Sequence, residues 1–154
     1  MKVEVLLSCM HEKDFSLIKQ SNLQEVNVLM VNQCDAGKEE MIVNGEKHRM
    51  LRTHTRGLSV SRNLAIAQSE ADICVFADND EVFVDNLVMK VKQAYEQIVD
   101  ADIIIFRIFN FHRRLGKVTK RLKKLDLLHV CSLQITFRVS SIKNNICFDK
   151  NLGA

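Results

Sequence analysis

The stretch Ile73-Cys74-Val75-Phe76-Ala77-Asp78-Asn79-Asp80 decides how the rest of the chain reads. Five apolar residues without a charge predict a strand buried on both faces, the central strand of an α/β sheet. Two acidic residues, one apart, close the run. Open α/β sheets bind ligands in the crevice beyond the carboxyl ends of their strands, so Asp78 and Asp80 mark where chemistry is expected. Alternate residues of a strand share a face, which predicts that both carboxylates point at one cation and one phosphate.

Working outward, apolar runs and helical patterns alternate. Residues 3–8 read as a strand, and 12–20 as a short helix with Phe15 and Ile18 inward. Residues 26–31 form a second apolar run, ending in Asn32-Gln33-Cys34-Asp35. A polar stretch containing Gly37 and Gly45 follows, and 48–53 is expected as a short edge strand. Residues 61–69 read as a helix with Ser59 or Ser61 as its N-cap, and Leu64-Ala65-Ile66-Ala67 predicts burial on most sides. Beyond the acidic pair, Leu87, Val91, Ala94, Tyr95 and Ile98 fall on one helical face. Residues 102–111 read as a strand, and the basic segment and 133–139 as antiparallel strands. This order implies a Rossmann-like α/β fold: a mostly parallel central sheet flanked by helices, with a mixed, antiparallel C-terminal edge. No repeat or linker divides the chain, so one domain is expected over 1–154.

Composition narrows the class. A chain of 154 residues with 47% hydrophobic and 27% charged residues matches a globular domain rather than a disordered one. Five cysteines (Cys9, Cys34, Cys74, Cys131, Cys147) are odd in number and never spaced C-x-x-C, which favours reduced, buried thiols over disulfides or a zinc site. Lys2 leads straight into Val3-Glu4-Val5-Leu6-Leu7 without a signal-peptide pattern, and no apolar run approaches the ~18 residues of a membrane span. A protein of the cytoplasm or of the inner face of the cell membrane is expected. The five histidines show no metal-binding spacing, an EF-hand lacks its glycine where Phe83 stands, and no G-x-G-x-x-G is present.

Charge is uneven. Residues 1–112 carry 12 Lys/Arg against 17 Asp/Glu, whereas 113–154 carry 10 against 2. The surplus concentrates in Arg113, Arg114, Lys117, Lys120, Arg121, Lys123 and Lys124. Such a run is either a solvated loop or hairpin, or a platform for an anionic partner.

Three strand ends carry polar residues that this topology brings together: Ser8-Cys9, Asp35 and Asp78-Asn79-Asp80. His11 follows the first of them. Between them, Arg56-Gly57-Leu58-Ser59-Val60-Ser61-Arg62-Asn63 is a loop opening a helix. A glycine, hydroxyls, two guanidinium groups and a helix start suit an anionic ligand.

This loop, continuing as Leu64-Ala65-Ile66 and followed by the apolar strand ending Asp78-Asn79-Asp80, resembles family-2 glycosyltransferases of the GT-A fold. Asp35 falls where that family places an acid that binds the nucleotide base. Phe148-Asp149-Lys150-Asn151-Leu152-Gly153-Ala154 is similar to the family's F-D-E-x-x-G-x segment, so the likeness spans the chain. It is nearest to bacterial enzymes that build surface polysaccharides or lipopolysaccharide. The resemblance implies transfer of a sugar from a nucleotide-diphosphate sugar, a UDP-sugar first, to a glycan or lipid-linked acceptor, with inversion. Residues 1–112 would bind the nucleotide sugar, and 113–154 would begin the acceptor side. Asp80, with Asp78 assisting, would hold Mn²⁺ or Mg²⁺ against the diphosphate. Ser8, Cys9 and Asp35 would cradle the nucleoside, while Arg62 and Asn63 position the donor, helped by Arg56, Gly57 and Ser59. Two departures follow from the residues. Ser8-Cys9-Met10-His11 replaces the family's P-x-Y/F-N-like turn, and the family's general base would lie beyond Ala154. Donor binding is therefore expected, with transfer absent or feeble.

Two other readings compete. Asp78-Asn79-Asp80-Glu81-Val82 fits the nucleophile motif of haloacid-dehalogenase-like phosphohydrolases, with Asp78 attacking phosphorus and Asp80 as acid/base. That motif normally lies on the first strand, whereas at least two strands precede it here. A nucleic-acid-binding module would use residues 113–124, but that segment has no aromatic residue for stacking bases, so no nucleic-acid partner is expected. An anionic membrane surface or a lipid-diphosphate acceptor suits the basic segment better.

Overall fold

The two faces of the sheet can be read off a single strand. In the computed structural model, which describes residues 1–35, 39–107 and 119–151, β1 (Val3–Met10) sends Val3, Val5, Leu7 and Cys9 to one side and Leu6 to the other. The same alternation runs along β5 (Ile73–Asp78), where Ile73, Val75 and Ala77 oppose Cys74 and Phe76. Both strands are buried on both faces: β5 is an unbroken apolar run up to Asp78, and β1 interrupts its own with Glu4, buried against Arg49 at 2.8 Å. Helices α1 (Ser16–Gln20) and α3 (Leu87–Gln97) pack Leu17, Ile18, Val91 and Tyr95 on the first side. On the second side α2 (Leu58–Gln68) and α4 (Val139–Ile142) contribute Ala65, Ile66, Val139 and Ile142. The result is a three-layer α/β/α arrangement.

The remaining strands are β2 (Asn27–Gln33), β3 (Glu40–Asn44), β4 (His48–Thr53), β6 (Ile103–Ile105) and β7 (Ile135–Arg138). The sheet order is β3-β4-β2-β1-β5-β7-β6. Strands β4, β2, β1 and β5 are mutually parallel, whereas β3 and β7 run antiparallel to their neighbours. Strand succession grows from β1 toward β2 and β4, then returns to the other side of β1 as β5. The reversal falls between β1 and β5, which makes their carboxyl ends the topological switch point of the sheet.

Several boundaries differ from the expectation. Strand β4 is not an edge, because β3 forms in the stretch read as polar and pairs along it, with Ile42 packed on the core. The stretch expected as a strand over 102–111 is regular only at Ile103–Ile105; residues 108–111 lie outside the described residues. Of the basic segment, 113–118 also lie outside them, and the described remainder leads into a 3₁₀ helix at Lys124–His129 rather than a strand. Helix α2 starts earlier than expected, and its N-cap is Gly57 rather than Ser59 or Ser61. Gly57 has φ 100°, a left-handed value that costs a side chain and suits glycine. Burial of α2 is one-sided: Ala67 is exposed, and the buried set includes Ser59, Ser61 and Arg62.

Candidate functional site

Ser8 on β1 and Asp78 on β5 are register partners at the switch point. Both point to the α2 side, opposite the side taken by their odd-numbered neighbours. Helix α2 meets them with consecutive residues. Ser61 Oγ donates to Ser8 Oγ at 2.9 Å, and Arg62 Nη2 lies 3.3 Å from both oxygens of Asp78. Arg62 is 7% exposed, and its guanidinium also lies 5.7 Å from the ring centres of Phe76 and Phe148. Its Nε, itself buried, has no hydrogen-bond partner among the described residues. A guanidinium carries five N–H donors, and the contacts with Asp78 use Nη2 alone.

The loops around this pair are held by two amides that the sequence reading passed over. Asn32 Oδ1 accepts the Glu12 N–H at 3.0 Å, and its Nδ2 donates to Glu12 O at 2.7 Å, fixing the loop after β1. Gln33 Nε2 donates to the carbonyls of Thr55 and Gly57 at 3.0 and 3.3 Å, fixing the loop before α2. Both side chains are buried at the end of β2, and a buried amide in an apolar strand is the signal that was available. Asp35, just beyond, forms an ion pair with Arg56 at the exposed rim. Arg56 also donates to the His54 and Thr55 carbonyls.

Glu81 is the third residue the sequence reading left without a role at this site. Its Oε2 accepts the Asp78 N–H at 3.0 Å, closing the turn that follows β5. Burial first, then the carboxylates of Asp78 and Asp80, push its acid up to about 7, against the pull of the Asp78 backbone N–H and Arg62.

Three expectations are corrected by this geometry. Strand β5 ends at Asp78, and Asn79 and Asp80 form a turn, so strand alternation does not place Asp80 beside Asp78 on one face. Cys9 turns into the core, where its thiol meets Val31 O at 3.7 Å and burial pushes it up to about 12; its side chain does not line the strand-end crevice. Asn63 points at the C-terminal segment instead of the crevice. Its Oδ1 accepts the Phe148 N–H at 2.8 Å and its Nδ2 donates to Phe148 O at 2.9 Å. Ser8, Arg62 and Asp78 come together as expected, whereas Asp35 and Arg56 form a separate pair on the rim.

Residues 15–147 match the family model described as glycosyl transferase family 2. The chain belongs to that family. As a family 2 glycosyl transferase it shares its fold with solved structures of S. aureus TarS. TarS 1–349 is 18% identical with a TM-score of 0.68, covering 100% of this chain. Its complex with UDP is 19% identical with a TM-score of 0.69, also over 100% of this chain. The complex with UDP-GlcNAc is 16% identical with a TM-score of 0.64, over 97% of this chain. The chain spans about half of each of those chains, 52%, 52% and 49% respectively. A comparison with curated proteins finds no match. Family membership replaces the phosphohydrolase reading, and Asp78 lies on the fifth strand, facing Arg62.

A divalent cation is implied by the family likeness. Among the described residues no three His, Cys, Asp or Glu side chains converge to hold an ion by themselves. At the strand end Asp78 faces Arg62 and Asp80 follows two residues on in the turn, and both side chains offer oxygen ligands. That chemistry fits Mg²⁺ or Mn²⁺, hard ions commonly held by one or two carboxylates together with substrate phosphates. Among the described residues no helix is long and apolar enough to cross a membrane.

Proposed function

We propose that this family 2 domain binds a nucleotide-diphosphate sugar at the β1/β5 switch point and transfers the sugar, with inversion, to a glycan or lipid-linked acceptor in surface-polysaccharide synthesis. The observation that carries the reading is Arg62 on α2, buried and paired with Asp78 at the switch point where the sheet reverses. A UDP-sugar is the first choice of donor, supported by the UDP and UDP-GlcNAc complexes of TarS. Arg62 offers positive charge to the diphosphate, and Ser8, whose oxygen accepts from the buried Ser61, offers a hydroxyl beside it. Gln33 holds the Thr55–Gly57 carbonyls, so the loop entering α2 is set before ligand arrives. Asp35 and Arg56 form the rim on which the base would rest. Asp80, with Asp78 assisting, would hold Mn²⁺ or Mg²⁺, which when bound supplies Lewis-acid stabilisation of the departing diphosphate.

Calorimetric titration of UDP, with and without Mn²⁺, tests this on the wild type and on Asp80→Ala. The expected result is Mn²⁺-dependent binding that the substitution weakens about tenfold or more, ~1.4 kcal/mol. A folded protein that binds none of UDP, GDP and dTDP would sink the proposal.

A further inference from the structure

The 3₁₀ helix Lys124–His129 presents Leu125 and Leu128 to solvent, 78% and 75% exposed. In a 3₁₀ helix residues three apart eclipse, so the two side chains stand one above the other as a single apolar ridge. Lys120, Arg121, Lys123 and Lys124 surround its start, all exposed. The one acid in the segment is already engaged: Asp126 accepts from Lys120 Nζ at 2.9 Å and from the Lys123 N–H at 2.8 Å. That leaves Arg121, Lys123 and Lys124 without a carboxylate partner among the described residues. The same two bonds tie residues 120–123 to the start of the helix. We propose that residues 120–128 dock this domain on an anionic lipid bilayer, with Leu125 and Leu128 entering the acyl boundary and the basic side chains among the headgroups.

The chemistry favours lipid over the alternatives. A nucleic acid would use the charges but has no use for two exposed leucines, and residues 119–128 contain no aromatic on which a base could stack. A protein partner of standard size needs a broad apolar centre, which two leucines ringed by cations do not provide. Lysine and arginine stems lie comfortably along an acyl surface with their heads in water. The inference is independent of the donor site, which lies at other residues.

Co-sedimentation of the full chain with phosphatidylcholine vesicles, with and without about 30% phosphatidylserine, is the test. The wild type should partition onto the anionic vesicles at least tenfold more than onto neutral ones, and raising salt from about 0.1 to about 1 M should release it. Leu125→Ser/Leu128→Ser should lower partitioning about tenfold or more with the charge unchanged, and Lys123→Gln/Lys124→Gln should flatten the salt dependence. Both variants should keep the circular-dichroism spectrum and UDP binding of the wild type. Failure of the wild type to sediment, or equal binding to neutral and anionic vesicles, overturns the proposal without using any variant. So does a dimer in solution that the double leucine substitution abolishes, which assigns the ridge to a second copy. Binding of a single-stranded oligonucleotide, indifferent to the leucines and without vesicle binding, overturns it in favour of a nucleic-acid surface.

Discussion

Replacing Glu81 by Gln tests whether the strand end carries more negative charge than the metal-free fold wants. Glu81 is half-buried, and its carboxyl is raised from 4.5 to about 7, first by burial and then by Asp78 and Asp80. Between those values the folded chain holds a proton there that the unfolded chain has released. Stability therefore falls as pH rises from about 4.5, and the cost is complete above about 7. At 1.36 kcal/mol per pH unit the ceiling is ~3 kcal/mol, and solvent screening of a partly exposed group brings it to ~1–2 kcal/mol. Gln keeps a side-chain oxygen to accept the Asp78 N–H and removes the charge. Urea unfolding of metal-free protein should show Glu81→Gln more stable than wild type by ~1–2 kcal/mol near pH 8, and equal to it near pH 4.5. Equal stability near pH 8, or a difference that does not vary with pH, would refute the electrostatic reasoning.

Other predictions concern packing and access. Asn63→Ala removes two hydrogen bonds to the Phe148 backbone and leaves both partners wanting, so urea unfolding should report a loss of ~1–3 kcal/mol; a change below ~0.3 kcal/mol would mean the segment is not held there. Cys9 and Cys74 are buried and pushed up to about 12, whereas Cys147 is exposed. Iodoacetamide on the native protein should therefore label Cys147 well before either of them, and peptide mapping that finds Cys9 or Cys74 modified first would contradict the placement of β1 or β5.

What the sequence made legible follows from how local each signal is. The run ending at Asp78 is apolar on both faces, so burial in a parallel sheet follows from the residues alone, and the structure places it beside β1. The gathering of Ser8, Asp78 and the segment bearing Arg62 was also accessible, because the topology brings the strand ends and the loop opening α2 together. Strand β3 was not: Glu40-Met41-Ile42-Val43-Asn44 is short and flanked by polar residues, and only its pairing with β4 makes it a strand. Cys9 was misplaced because a strand end was read as a point, while pleating sends Ser8 and Cys9 to opposite sides. Asn63 and Glu81 were unreadable for another reason. Their partners, Phe148 and the Asp78 N–H, are set by tertiary docking and by a turn, and neither has a sequence periodicity.

Arg62 ties these observations into one argument about how the site is built. Its guanidinium lies equally close, 5.7 Å, to the ring centres of Phe76, from the strand that bears Asp78, and Phe148, from the C-terminal segment that Asn63 holds. Phe76 and Phe148 meet edge-on with ring centres 5.5 Å apart, so the arginine rests on an aromatic pair that exists only when the C-terminal segment is docked. The pairing with Asp78 is long, 3.3 Å to each oxygen, and leaves Nε unspent. A charge held chiefly by packing can turn toward an anionic ligand without first surrendering a tight carboxylate pair. Desolvation makes that charge costly in the ligand-free fold, and the same desolvation strengthens it once a diphosphate arrives. The fold thus gives the segment around Phe148 a part in presenting the cation at the switch point, although that segment lies far from it in sequence.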